Sequence, residues 1–324
     1  MRTFLLSPAL ALLLLGGSPP PAMPWNNSGH RIVSLLAWSE LGDATRNEIT
    51  QLLAQHPRFA QDLQVGLPPG SSATDAARRA FALAANWPDT VRSVTHPMHK
   101  VANHPQWHYI NMPYVVGDDV VAAPAKPPEQ GPQDILEALQ KNLADLANHD
   151  LPAGDRAIAL CWVVHLIEDV HQPLHACTLY SAQFPKGDAG GTRFLVTRDV
   201  TDPNSRTNLH ALWDSLLGNY LLPEWELCVA DGLAALPVFS REDLEAKRAV
   251  RDAKVWAEES HRLAIESAYE NGKLSGAAAG VADADSPPPL PTGYLVDAER
   301  VAMRRAVLAA RRLADVLDRA FAAK

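Results

Sequence analysis

The stretch "DRAIALCWVVHLIEDVHQPLH" (155–175) constrains this chain more than any other. Its first part is apolar nearly all round, which marks a helix packed inside a fold rather than laid on its surface. Asp155 is a candidate cap for its start, and Pro173 ends or kinks it. Yet the same stretch carries His165, Glu168, Asp169, His171 and His175. Burying a charge or an unpaired imidazole is costly unless something satisfies it. Either the helix turns a polar face to water, or something in the core binds these side chains.

Spacing separates the five groups. His165 and Asp169 are four apart and share a helical face. "NLHALWD" (208–214) repeats the spacing with His210 and Asp214. Imidazole and carboxylate are suitable zinc ligands, and i,i+4 placement lets both point at one ion. The competing reading is an exposed helical ion pair. It is stronger for "HALWD" than for His165 and Asp169, whose neighbours "CWVV" and "LI" bury the helix. His175 lies six past Asp169, beyond Pro173, and need not serve the same ion. Glu168 is expected to be a solvated carboxylate, and His171 to stand behind the ligands or at the surface. "NWPDTVR" (86–92) sets Asp89 after a Trp-Pro break, and "HPQWHYIN" (104–111) sets His108 between aromatics in an extended segment. Each of these, alone, reads as ordinary core or loop chemistry.

The rest of the chain is helix-rich. Periodicity predicts helices over 29–41, 43–56 (with Asp43 as cap), 74–89 (stopped by Pro88), 131–148, 209–222, 240–269 and 294–321. Strand signals are sparse: "TRFLVTRDV" (192–200) reads as one strand or a small hairpin. Residues 114–133 and 276–293 read as surface loops. The fold class is therefore mostly α, a single-domain multi-helix bundle with at most a small β-hairpin. Residues 1–24, with Arg2 ahead of "FLLSPALALLLL", read as a signal peptide too short to span a bilayer, leaving 25–324 as one domain. A periplasmic or secreted location follows, with no membrane anchor. Cys161 is expected to be a buried free thiol, and a Cys177–Cys228 bridge stays open. The net charge of −8 excludes a general nucleic-acid-coating role, so any such chemistry needs a local site.

Six segments, "WNNSGH", "NWPD", "WHYIN", "HLIEDVHQPLH", "GDAGG" and "NLHALWD", occur in an order that resembles the secreted, zinc-dependent single-strand nucleases and 3′-nucleotidases. Zinc phospholipase C of bacteria is a more distant likeness. The resemblance implies three Zn2+ ions in one trinuclear cleft of a mostly helical domain. Asp89, His108 and His165 would hold one ion. Asp169 would bridge it to a second, held also by His30 and by the backbone amine and carbonyl of Trp25 as the new N-terminus. His175, His210 and Asp214 would hold the third. A zinc-bound hydroxide would attack the phosphorus, cleaving P–O3′ bonds and leaving 5′-phosphates. Asp169 and Asn111 are the candidate catalytic residues; fungal members carry Asp where Asn111 stands. Tyr109, Asn111, Thr192 and the Gly190–Gly191 turn are candidates for the base pocket. Single-stranded DNA, RNA and 3′-nucleotides are the implied substrates of a monomer with no stable protein partner. The rival readings are a phospholipase C-type hydrolase and a non-catalytic zinc-binding envelope protein.

Overall fold

In the computed structural model, the described residues are 25–322 apart from 68–69, 119–130, 200, 203–204, 219–222, 236–240 and 281–285. Residues 1–24, the stretch read as a signal peptide, lie outside them. The helices are α1 Asn27–Glu40, α2 Asp43–Leu53, α3 Ala73–Thr90, α4 His99–Ala102, α5 Ile135–Ala147, α6 Ala153–Asp169, α7 Leu209–Asp214, α8 Pro223–Ala235, α9 Arg241–Arg248, α10 Ala253–Leu263 and α11 Tyr294–Ala322. Short 3-10 turns cover Pro105–His108 and Pro173–Ala176. The strands are β1 Pro113–Val115, β2 Thr178–Tyr180, β3 Phe194–Thr197, β4 Arg206–Asn208 and β5 Ala277–Ala278.

Helix α6 is the axis. Its residues from Ala159 to Asp169 are all buried. It packs on α3 and α5, while α1 packs on α3 and α11. Polar side chains fix where several helices begin. Asn26 Oδ1 accepts from Gly29 N (2.8 Å), and Asn208 Oδ1 accepts from Ala211 N (2.7 Å). These two caps set the starts of the helices that carry His30 and His210.

The mostly α class holds, and several local expectations are corrected. The hairpin is present as β3 against β4, but β5 adds a third antiparallel strand and β1 pairs in parallel with β2. Two residues of β5 carry too little pattern to be read from sequence. Pro88 does not stop α3, which continues to Thr90. The proline forfeits one backbone bond, and burial of Phe81, Ala85 and Trp87 outweighs that loss. Residues 240–269 are not one helix: α9 ends at Arg248, and Asp252 caps a new helix by accepting from Lys254 N (2.9 Å). Helix α7 ends at Asp214, well short of residue 222. Gly42, not Asp43, precedes α2, and Pro152, not Asp155, precedes α6; both aspartates sit in the first turn, where the helix dipole favours them. All three cysteines are free, Cys161 and Cys177 buried and Cys228 exposed, so the bridge is absent. Among the described residues no helix is long and apolar enough to cross a membrane.

Candidate metal centre

Five elements converge at one end of α6. Helix α1 brings His30, the last turn of α3 brings Asp89, and the turn 105–108 brings His108 in 3-10 rather than extended backbone. Helix α6 brings His165 and Asp169. Pro173 starts the turn that carries His175, and α7 brings His210 and Asp214. The structure gathers these eight side chains into three groups: His30, His165 and Asp169; Asp89, His108 and His165; His175, His210 and Asp214. Within each group the donor atoms lie within 4.8 Å of one another, and every residue is buried.

Asp169 joins the groups. Its Oδ2 lies 2.9 Å from His165 Nε2 and 3.2 Å from His108 Nδ1, while Oδ1 lies 3.4 Å from His30 Nε2. One carboxylate thus faces two groups with different oxygens. In the remaining group, His210 Nε2 is 3.5 Å from Asp214 Oδ2, and the His175 and His210 rings stack at 4.9 Å.

The donor set fits cations. His30 Nε2, Asp89 Oδ2, Asp169 Oδ1, His175 Nε2 and Asp214 Oδ2 are buried with no hydrogen-bond partner. Such orphaned atoms are rare in native interiors, and here they are all lone-pair donors turned on common points. The far side of most rings is fixed. His165, His175 and His210 each donate Nδ1–H to a main-chain carbonyl, of Ala85 (2.7 Å), His108 (2.6 Å) and Gly190 (2.7 Å). That sets the tautomer and turns Nε2 inward as a lone pair.

Burial shapes the charges. Desolvation pushes Asp89 up to about 6 and holds Asp169 and Asp214 well above the usual carboxylate range. It pushes His210 down to about 4 and His30, His108 and His175 well below the ordinary imidazole value. The imidazoles are therefore neutral at pH 7, as ligands must be.

A cleft of about 290 Å³ opens over the groups, and Arg92, Tyr109, Asn111, Gly190, Thr192 and His210 are among its lining residues. Tyr109 is part-exposed at its rim. Asn111 Oδ1 accepts from Thr178 Oγ1 (2.7 Å), which orients the amide. Gly190 has φ +62°, and a Cβ there would sit 2.7 Å from the Leu174 carbonyl oxygen, so only glycine fits. Gly191 O accepts the long bond from His210 N (3.4 Å). Asp188 pins this turn by accepting from Leu179 N (2.9 Å) and Tyr269 Oη (2.6 Å).

Trp25 is buried; its indole Nε1 donates to the Glu168 carbonyl (3.1 Å), and Asn26 N donates to the Asp214 carbonyl (3.0 Å). The start of the domain is thus tied to α6 and α7, two of the three helices that carry candidate ligand aspartates. A Cβ on Gly29 would lie 3.2 Å from Trp25 Cβ, so glycine lets this segment close up.

Four neighbours of the groups take places that sequence reasoning missed or left open. Glu168 is not solvated: it is fully buried against His30. Its place after Leu166 and Ile167 on a helix apolar nearly all round was the available signal. His171 is buried too, with Arg312 Nη1 3.0 Å from its Nε2. Arg92 reaches from the cleft to Asp89, Nη1 to Oδ1 3.2 Å, one helical turn on. Gln172 accepts from Leu174 N (2.5 Å) and donates to Asp214 Oδ1 (2.7 Å), which leaves Oδ2 free.

A mostly helical domain thus sets three adjoining His/Asp groups, each able to hold a metal ion, beneath one open cleft. The chain belongs to the S1/P1 nuclease family, whose model matches residues 25–322. It is also 30% identical over 135 residues to nuclease S1 of Aspergillus oryzae, a match taking in 37% of this chain and 43% of that protein.

Proposed function

We propose that the chain is an exported zinc-dependent nuclease that hydrolyses P–O3′ bonds of RNA and single-stranded DNA and also dephosphorylates 3′-nucleotides. The observation that carries this reading is the set of orphaned, inward-facing donors divided among three groups under a single cleft. Three Zn2+ would be held by Asp89, His108 and His165; by His30, Asp169 and the Trp25 backbone once residues 1–24 are removed; and by His175, His210 and Asp214. When bound, such ions neutralise phosphate oxygens and acidify water.

The chain's own groups do the positioning. Asp169 holds two groups in register through its two oxygens. The Arg92 guanidinium, anchored by Asp89, offers the cleft a planar donor fork for a phosphate oxygen. The part-exposed Tyr109 ring gives an unstacked base a face to lie on, which a paired base in a duplex cannot use. Asn111 and Thr192 offer hydrogen bonds at the cleft wall. Asn111 cannot serve as a base, so its part is orientation.

The test is metal content together with turnover of matched single- and double-stranded DNA, RNA and a 3′-mononucleotide, with and without chelator. Three zinc ions per chain and chelator-sensitive cleavage of single strands are expected. Release of diacylglycerol from lecithin without nucleic-acid cleavage would replace the nuclease reading with a phospholipase. Arg92→Lys should lower kcat/KM by on the order of 10²-fold. N-terminal sequencing of the exported protein should begin at Trp25.

A further inference from the structure

We propose that Glu168 governs how tightly the cleft holds one ion of the three, the one that His30 faces. The proposal rests on the metal reading above. His165, His175 and His210 turn Nδ1 to main-chain carbonyls. His30 instead turns Nδ1 to a carboxylate, Glu168 Oε2, at 2.5 Å. A carboxylate accepting the imidazole N–H makes the opposite nitrogen a stronger donor than a neutral carbonyl does. That opposite nitrogen is His30 Nε2, buried without a hydrogen-bond partner and 3.4 Å from Asp169 Oδ1.

The carboxylate is fixed for this role. Its other oxygen, Oε1, accepts from Ser34 Oγ at 2.6 Å, one helical turn beyond His30. Glu168 is fully shielded from water, so the interaction is undiluted. The His30 ring therefore lies between consecutive carboxylates of α6, Glu168 on one edge and Asp169 on the other. The Glu168 main-chain carbonyl also receives the Trp25 indole N–H at 3.1 Å. Both residues of the 25–30 segment assigned to this ion dock on Glu168. Glu168 does not line the cleft, so it is a positioning residue that acts on the ion through His30.

Glu168→Gln isolates the charge. The amide oxygen still accepts from His30, and the amide nitrogen donates to Ser34 Oγ. A role in packing alone would leave this variant unchanged. The experiment titrates zinc-loaded wild type and Glu168→Gln with a colorimetric chelator and counts ions released. One ion of Glu168→Gln should leave at about 10–100-fold lower chelator strength, with the other two released as in wild type. A second measurement needs no variant. In the zinc-loaded wild type, the Nδ1 proton of His30 should resonate further downfield than those of His165, His175 and His210. Identical release curves, or equal loosening of all three ions, would overturn the proposal, as would a His30 proton grouped with the other three. A wild-type protein that takes up no zinc would overturn the metal reading itself.

Discussion

Replacing Glu259 by Gln should cost this fold several kcal/mol, though the residue touches no proposed ligand. Glu259 sits between two buried guanidinium groups. Arg312 meets it as a fork, Nη1 to Oε2 at 2.7 Å and Nη2 to Oε1 at 2.9 Å, and Arg305 Nη1 meets Oε2 at 2.9 Å. Arg305 is 3% exposed and Arg312 1%. Burial already pulls Arg305 down to about 10, against the attraction of Glu259. Removing one partner of a buried pair costs about 3–5 kcal/mol, because the remaining charge is left uncompensated. The Glu259 side chain is 14% exposed, which admits some water and favours the lower end, about 3 kcal/mol. For a domain of about 300 residues that is a fall in Tm of about 5 °C. The same arginines brace the segment between Asp169 and His175. Arg305 Nε donates to the His171 carbonyl at 3.0 Å, and Ser260, which Arg305 also contacts, donates to the Val170 carbonyl at 2.5 Å. Thermal unfolding of wild type, Glu259→Gln and the surface control Asp297→Asn, all stripped of metal, reads the effect. A Tm for Glu259→Gln equal to that of the control would refute the reasoning.

Three further outcomes follow from the same geometry. Gly190→Ala forces a side chain to φ +62° and against the Leu174 carbonyl, so unfolding in urea should show a loss of about 2 kcal/mol or more. Asp169→Asn removes the oxygen pair that faces two groups, and should cut turnover by on the order of 10³-fold and reduce bound zinc by elemental analysis. Burial lowers His56 to about 4 from an unfolded value of 6.5, so the unfolded chain binds a proton that the folded one refuses. Its contribution is whole above pH 6.5 and is lost as pH falls toward 4, amounting to about 3 kcal/mol. The pH dependence of unfolding in chelator should flatten over that window in His56→Gln, and an unchanged slope would count against it.

The sequence made the His/Asp spacing legible because a helix repeats it locally. His165 with Asp169 and His210 with Asp214 can be read from four-residue steps alone. Pro173 is local too, though α6 already ends at Asp169 ahead of it; the 3-10 turn that Pro173 opens carries His175 to a different group. Long-range partners are not. His30 and Glu168 stand 138 residues apart, and nothing in either segment announces the other. Glu168 looked solvated because carboxylates usually are; only the packing of α1 on α6 reveals otherwise. Arg92 was hidden by its own motif, where Asp89 drew attention and the residue one turn on did not. The single helix expected over 240–269 failed for another reason. Helical periodicity persists across a break, whereas the Asp252 cap marks a start inside it.

The burial that makes this cluster costly also prepares it for cations. Helix α6 could have carried apolar residues at 165, 168 and 169 and packed more stably, since buried charged groups are poor sources of stability. Instead it places two carboxylates and an imidazole where water does not reach. Desolvation strips protons from the imidazoles, which frees their lone pairs, and it returns protons to the carboxylates. These two tendencies oppose each other only while the centre lacks positive charge. A divalent ion at each group reverses the second without disturbing the first, because the deprotonated carboxylate and the neutral imidazole are both the forms that ligate. On the metal reading, the same interior that penalises the bare side chains rewards the loaded ones. Stability and metal affinity then become one quantity, and the packing around α6 is what couples them.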